Sequence, residues 1–460
     1  MTSERLEPED LYRRLRDRDL RLFPLDHPST RRLGWLEAAR RSERSARELR
    51  RFADVLDEET VVACAFGEAA QAAAAFAAAA PVGGRRLIVC DDGDPDVLTA
   101  RLEGPCFVLV LGSPESEQAA LGALSVVLER VPAARVAVVG PEDGPLCAQA
   151  SARNVARIFA SPADIPEGFG ALGPLGAVPA ALIGLDPEEL CGRVIDVDGP
   201  RAMAAGLALA ADVVEGRGVR SLAPSSQTAL MGWHTAVLAT ATCRDGTGCL
   251  ALPSPESGED TGDRATGEGT REGALVVPDV PGVRLGEVMH AFQLAAFAAG
   301  WALGVDPLAG APESGWHARA RRPRAPGGPG VPDAAPPEEF HNVLDEHAAA
   351  ASFIVISSFL PGAGEDALAR LGAAVSARAA CPVLVGPGAR VLSCIGDALS
   401  DGPPGGLVVH LVSKRPPPPD ARGDDLSSFW RAAEIAEIAA LDQSGRRRER
   451  VGLDALEELG

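Results

Sequence analysis

The sequence predicts an α/β protein of two doubly wound halves. Each half is a parallel sheet with helices on both faces, a three-layer αβα sandwich, and helices frame the chain at both ends. Three observations predict it. Between residues 60 and 141 four continuously apolar runs, VVACAF, RRLIVCDD, CFVLVLG and ARVAVVG, alternate with helical stretches; strands without polar alternation are those buried on both faces. The pattern resumes after residue 350 in ASFIVISSFLP, CPVLVGPG and GGLVVHLVSK. Finally, 460 residues with 46% hydrophobic content supply two cores, and with only 4% aromatics those cores are built of Ala, Leu and Val.

Taken in order, residues 1–55 read as a charged helical segment, since RRLGWLEAARRSERSARELRRFADVL places apolar residues at helical spacing. Residues 56–198 form the first α/β unit. Residues 199–425 form the second, with RAMAAGLALAADVVEGRGVRSLAP read as helix then strand, and TALMGWHTAVLATATC and VMHAFQLAAFAAGWALG as helices. Two polar, Gly- and Pro-rich stretches near 254–274 and 318–338 read as disordered insertions. Residues 426–460 read as a closing helix and tail, RRRERVGL being a basic turn.

The net charge of −20 and pI near 4.9 repel nucleic acid and anionic membranes. They also oppose a phosphorylated ligand unless a cleft carries its own cations. Nine scattered Cys without a Cys-x-x-Cys pair fit free thiols in a reducing cytoplasm, not a zinc site or a disulfide framework. The opening MTSERLEPEDLYRRLRDRD has no apolar core of a secretory signal, and Ala runs such as QAAAAFAAAAP are too short to span a bilayer. A cytoplasmic protein without membrane or nucleic-acid partners is expected.

One turn stands out. Asp164, Ile165, Pro166, Glu167, Gly168, Phe169 and Gly170 lead into the apolar helix GPLGAVPAALIGL. A Pro/Gly turn at a helix start suits an anion, yet this one carries carboxylates and no cation. Four segments in order, RRLGWLEA, FASPADIPEGFGALGPLGAVPAALIGLDPEEL, FQLAAFAAGWALGVDPLAG and RAAEIAEIAALDQSGRRRERVGL, resemble the phosphoglucose isomerase (glucose-6-phosphate isomerase) family. The closer likeness is to its bacterial branch related to transaldolase fusions. The resemblance implies two sugar-isomerase (SIS-type) domains, no cofactor, and aldose–ketose isomerisation of a sugar phosphate. It also implies a dimer whose sites draw on both subunits.

Carried over position by position, the resemblance puts the family's chemistry in doubt. The phosphate loop corresponds to LGSPESEQ, where Ser113 and Ser116 keep hydroxyls as candidate substrate contacts but Pro114 removes a donor and Glu115 adds a negative charge. The local reading of this stretch is a plain helix start, Ser113 as N-cap and Pro114 at N1. The family's enediolate-steadying Arg falls on Gly168. Its proton-carrying Glu falls on Thr240, whose hydroxyl has too high a pKa for a general base, and Arg244 keeps one positive charge nearby. The ring-opening stretch falls on SCIGDALSDGP, with Ser393 and Leu399 at the His positions and Ser400 at the Lys position. The segment Phe292, Gln293, Leu294, Ala295, Ala296, Phe297 has an amide where the family has a carboxylate. His410 could stand in for an imidazole but reads as a hydrogen-bonded core residue, and His234, His290 and His341 lack metal-ligand spacing.

These positions predict a crevice without a proton shuttle or a clamp for negative charge. The expected function is a catalytically degenerate isomerase-like protein, a sugar-phosphate binder or a regulatory partner, as homodimer or as heteromer with a central-carbon enzyme. The alternative is an active isomerase on glucose 6-phosphate and fructose 6-phosphate with relocated groups, drawn from Asp245, Glu167, Arg244 and Arg390.

Overall fold

The computed structural model describes residues 6–23, 28–222, 228–253, 284–309, 334–414 and 426–459. The stretch 254–274 and residues 318–333 of the second expected insertion lie outside them.

Two helices precede the first sheet, α1 (Pro8–Arg16) and α2 (Ala38–Asp54). The first unit then runs β1 (Thr60–Cys64), α3 (Gly67–Ala78), β2 (Arg86–Cys90), α4 (Pro95–Arg101), β3 (Phe107–Leu111), α5 (Glu117–Arg130), β4 (Val136–Pro141), α6 (Pro145–Ala152) and β5 (Arg157–Ser161). All five strands are parallel, in the order β2-β1-β3-β4-β5. The apolar runs are central because every residue of β3 and β4 is buried. Alternate residues serve opposite faces. Val62, Val108 and Val138 pack with α5, while Val61, Leu109 and Val139 pack with α3 and the helix after β5.

A helical layer follows: α7 (Pro174–Leu182), α8 (Pro187–Gly192) and α9 (Gly199–Val214). Asp186 and Asp198 cap the latter two, accepting from Glu188 N at 2.9 Å and Arg201 N at 3.1 Å. Next come β6 (Val219–Leu222), α10 (Thr228–Thr242), β7 (Leu250–Pro253), α11 (Leu285–Leu303) and α12 (Glu339–His347), with β6 and β7 paired in parallel. The second large sheet is built by β8 (Ile354–Phe359), α13 (Glu365–Arg378), β9 (Val383–Pro387), α14 (Gly388–Asp401), β10 (Leu407–Ser413), α15 (Leu426–Gln443) and β11 (Arg447–Leu453). Its order, β11-β10-β8-β9, is parallel throughout and reverses between β8 and β10 as the first sheet reverses between β1 and β3. Two parallel sheets, each sandwiched between helices, are the predicted fold class.

The chain does not close on a turn. Arg447–Leu453, read from sequence as a basic turn, is the edge strand β11. Its arginines find carboxylates on α15, with Arg450 Nε donating to Glu434 at 2.6 Å and Arg448 paired with Asp442. Helix α15 also crosses to the first half, where Leu426, Phe429, Trp430 and Ala433 join the core on the α5 face of the first sheet. The two halves share packing, so α14 and α15 are held over the carboxyl ends of β1 and β2.

Candidate functional site

In open α/β sheets ligands bind beyond the carboxyl ends of the strands, where the strand order reverses. Here that place lies between β1 and β3. Strand β1 passes into α3 through Phe66 and Gly67, whose φ of +64° suits glycine. A Cβ at Gly67 would come within 2.7 Å of the Glu167 carboxylate, so glycine also makes room for that side chain. Glu68 follows at once. Strand β3 passes into the Gly112–Ser116 turn, and β5 into the loop carrying Glu167. The loop is anchored by Phe169, buried against Trp35 with ring centroids 4.8 Å apart. Two of the resembling segments therefore pack on each other to set the turn.

A cavity of about 50 Å³ opens there. Its walls are Glu68, Glu115 and the 166–169 turn from the first half, and Thr240, Arg244, Ser393 and Asp397 from α10, α14 and their ends. The sequence positions Gly168, Thr240, Arg244 and Ser393 thus meet in one place. A Cβ on Gly168 would sit 3.4 Å from Glu68 Oε1. Thr240 Oγ1 donates to Glu68 Oε1, Ser393 Oγ donates to Arg390 O at 3.2 Å, and Arg244 Nη2 donates to Ala309 O at 3.1 Å.

Other positions lie elsewhere. Leu399 is buried in the core of the second half, and Ser400 Oγ donates to Asp397 O at 3.3 Å on α14. Ser113 and Ser116 are buried and do not line the cavity. Ser113 Oγ donates to Glu167 Oε2, Ala69 N donates to Glu167 Oε1 at 3.3 Å, and the Ser116 and Ser113 hydroxyls lie 3.1 Å apart. Ser113 is not the α5 N-cap, because that helix starts only at Glu117; its Oγ instead accepts from Glu115 N and Ser116 N within a turn. Asp245 is exposed at a turn with φ of +54°, and Arg390 is held by Asp91 at 2.7 and 2.8 Å and by Glu365 at 2.6 Å. Neither lines the cavity.

The expected crevice without an acid/base pair is not what the fold builds. Glu68 and Glu167, each 5% exposed, face one pocket. Burial, then repulsion from Glu115 and Asp397, pushes the Glu68 carboxyl up to about 7 against the opposing Thr240 hydrogen bond. Burial and the neighbouring Glu68 and Glu115 push Glu167 well above the usual carboxylate range. Glu115 itself pairs with Arg32. Sequence reasoning missed Glu68 because its only signal is position, the residue pair Gly-Glu directly after the first apolar strand. Such a pair of acids can hold or pass a proton at neutral pH. It is ill suited to a phosphate, since a like charge about 5 Å away costs about 3 kcal/mol at an effective dielectric near 20.

His410 is buried and stacked on Phe359 with rings 5.6 Å apart, and burial pushes it down to about 3, so it is neutral. The expected hydrogen bond is not found, since neither ring nitrogen has a partner among the described residues. Among the described residues no group of three or more His, Cys, Asp and Glu side chains is arranged to hold a metal ion. All nine cysteines are free thiols. No described helix is long and apolar enough to cross a membrane.

No protein-family model and no curated protein matches the chain. Among solved structures, a hypothetical protein of Thermus thermophilus is similar at 16% identity and a TM-score of 0.47, over 98% of this chain and 87% of that one. A glucose-6-phosphate isomerase of Chlamydia trachomatis is similar at 13% identity and a TM-score of 0.45, over 64% of this chain and 75% of that one.

Proposed function

We propose that this chain is a catalytically degenerate isomerase-like protein of sugar-phosphate metabolism, working as a regulatory or binding partner rather than on glucose 6-phosphate itself. In this reading it is cytoplasmic and acts as a homodimer or beside a central-carbon enzyme. One observation carries it: the Glu167 carboxylate occupies the donors that a substrate anion would need, the Ser113 hydroxyl and the Ala69 N–H at the start of α3. Anions are held by such donors, and with the Glu167 carboxyl already accepting from them they are not open to a second acceptor. The cavity volume agrees, since about 50 Å³ holds a few waters whereas a metabolite pocket spans roughly 300–1,000 Å³.

A second reading rests on Glu68. Its pKa near 7, its contact with Thr240 and its place in one cavity with Arg244 favour an aldose–ketose isomerase with relocated groups. There Glu68 would carry the proton between neighbouring carbons and Arg244 would steady the enediolate. A coupled assay on purified protein separates the two. The degenerate reading expects no conversion of glucose 6-phosphate to fructose 6-phosphate above background. Turnover that disappears in Glu68→Gln and survives in Ser400→Ala overturns it in favour of the second.

A further inference from the structure

We infer that the chain carries a second ligand site, for a small organic anion, in the cavity at the amino ends of β6 and β7. This cavity is about 600 Å³, within the range that holds a metabolite. It is walled by Arg217, Arg220, Ser221, Thr247, Ser352 and the prolines 382, 403 and 404. No Asp or Glu is among its described lining residues, in a chain whose net charge is −20.

Arg220 is the focus. It sits on β6, its side chain is 9% exposed, and its Nε has no hydrogen-bond partner among the described residues. Nη1 pairs with Asp212 at 3.2 Å, which fixes the guanidinium. Arg217 brings a second guanidinium, half exposed and paired with Asp212 and Glu215. A buried guanidinium donor without an acceptor is a cost that a carboxylate or phosphate oxygen removes, and the planar fork suits both anions. Glycines shape the wall. Gly218 lies so close to the opposite backbone that a Cβ would come within 2.7 Å of Gly248 O, and Gly246 and Gly248 adopt φ of +75° and +128°.

The site is also joined to the first. One turn, residues 243–248, gives Cys243 and Arg244 to the acidic cavity and Gly246, Thr247 and Gly248 to this one. The turn is closed by Arg244 N to Thr247 O at 3.1 Å and Thr247 N to Arg244 O at 3.0 Å. An occupant here touches the segment that carries Arg244.

Calorimetric titration of the full chain tests this with three probes: fructose 6-phosphate, gluconate and neutral fructose. Saturable binding of at least one anion with Kd below about 1 mM, and none of fructose, is expected; which anion binds tells phosphate from carboxylate. Arg220→Lys keeps the charge opposite Asp212 but loses the fork, and weakens binding about tenfold or more. Should that variant fold poorly by circular dichroism, Thr247→Trp, which fills the cavity from its rim, is expected to abolish binding in a folded protein. The inference is overturned if neither anion binds or if Thr247→Trp, folded, binds as the parent does.

Discussion

The two cavities differ in sign and in state. At the carboxyl ends of β1 and β3, where the fold places ligands, Glu68, Glu115, Glu167 and Asp397 meet around about 50 Å³, and the three glutamates accept from donors of their own chain. At the amino ends of β6 and β7 about 600 Å³ stands open, with two arginines and no carboxylate among its described lining residues. A fold fixes where a crevice forms; the side chains decide whether a ligand is needed to complete it. The first crevice is completed by Glu167. The second is not.

The largest expected effect breaks the wall of the acidic cavity. Arg390 ties α14, which carries Ser393 and Asp397, to buried Asp91 at the end of β2. Arg390→Met strands that carboxylate, and a loss of about 3 kcal/mol in denaturant unfolding is expected. Next comes pH. Glu68 titrates near 7 when folded and near 4.5 when unfolded, so between those values the folded chain holds the extra proton and stability falls as pH rises. The fall from Glu68 is on the order of 3 kcal/mol across that window, Glu167, also shifted upward, extends it to higher pH, and Glu68→Gln makes it shallower in a pH series of unfolding curves. Gly67→Ala forces a left-handed residue and a contact with Glu167, with a loss of about 2 kcal/mol in thermal unfolding. Smallest is Gly168→Ala, whose Cβ meets Glu68 Oε1 at an ordinary contact of 3.4 Å and whose backbone is not left-handed. A gain of about 0.5 kcal/mol in thermal unfolding is expected from the stiffer unfolded chain.

Much of this was legible in the sequence, for physical reasons that also mark where it stops. The strands β1, β3 and β4 declare themselves by apolar runs, because burial on both faces leaves no polar position, and β8 and β10 by runs broken only at Ser357, Ser358, His410 and Ser413. Strand β11 hides behind arginines and a glutamate, and the partners of those arginines, Glu434 and Asp442, lie on another helix. Strands β5 and β7 are short, and β5 is partly exposed. In the candidate site, Gly168, Thr240, Arg244 and Ser393 were placed by their segments and do meet. Glu68 was not, because its role depends on Glu167, distant along the chain, approaching it through the fold. The charge inversion of the 166–169 turn was readable; the proton that two facing acids retain was not.

The proton chemistry of the first crevice depends on Glu68 and Glu167 being a buried pair that keeps a proton at neutral pH. Carbon-13 NMR of the protein labelled at glutamate side-chain carboxyls, titrated from pH 4 to pH 9, measures this directly. A carboxyl titrating near 7 that vanishes in Glu68→Gln, with a second shifted upward that vanishes in Glu167→Gln, is the expected result. Every glutamate ionised by about pH 5.5, within the ordinary carboxylate range, would contradict it.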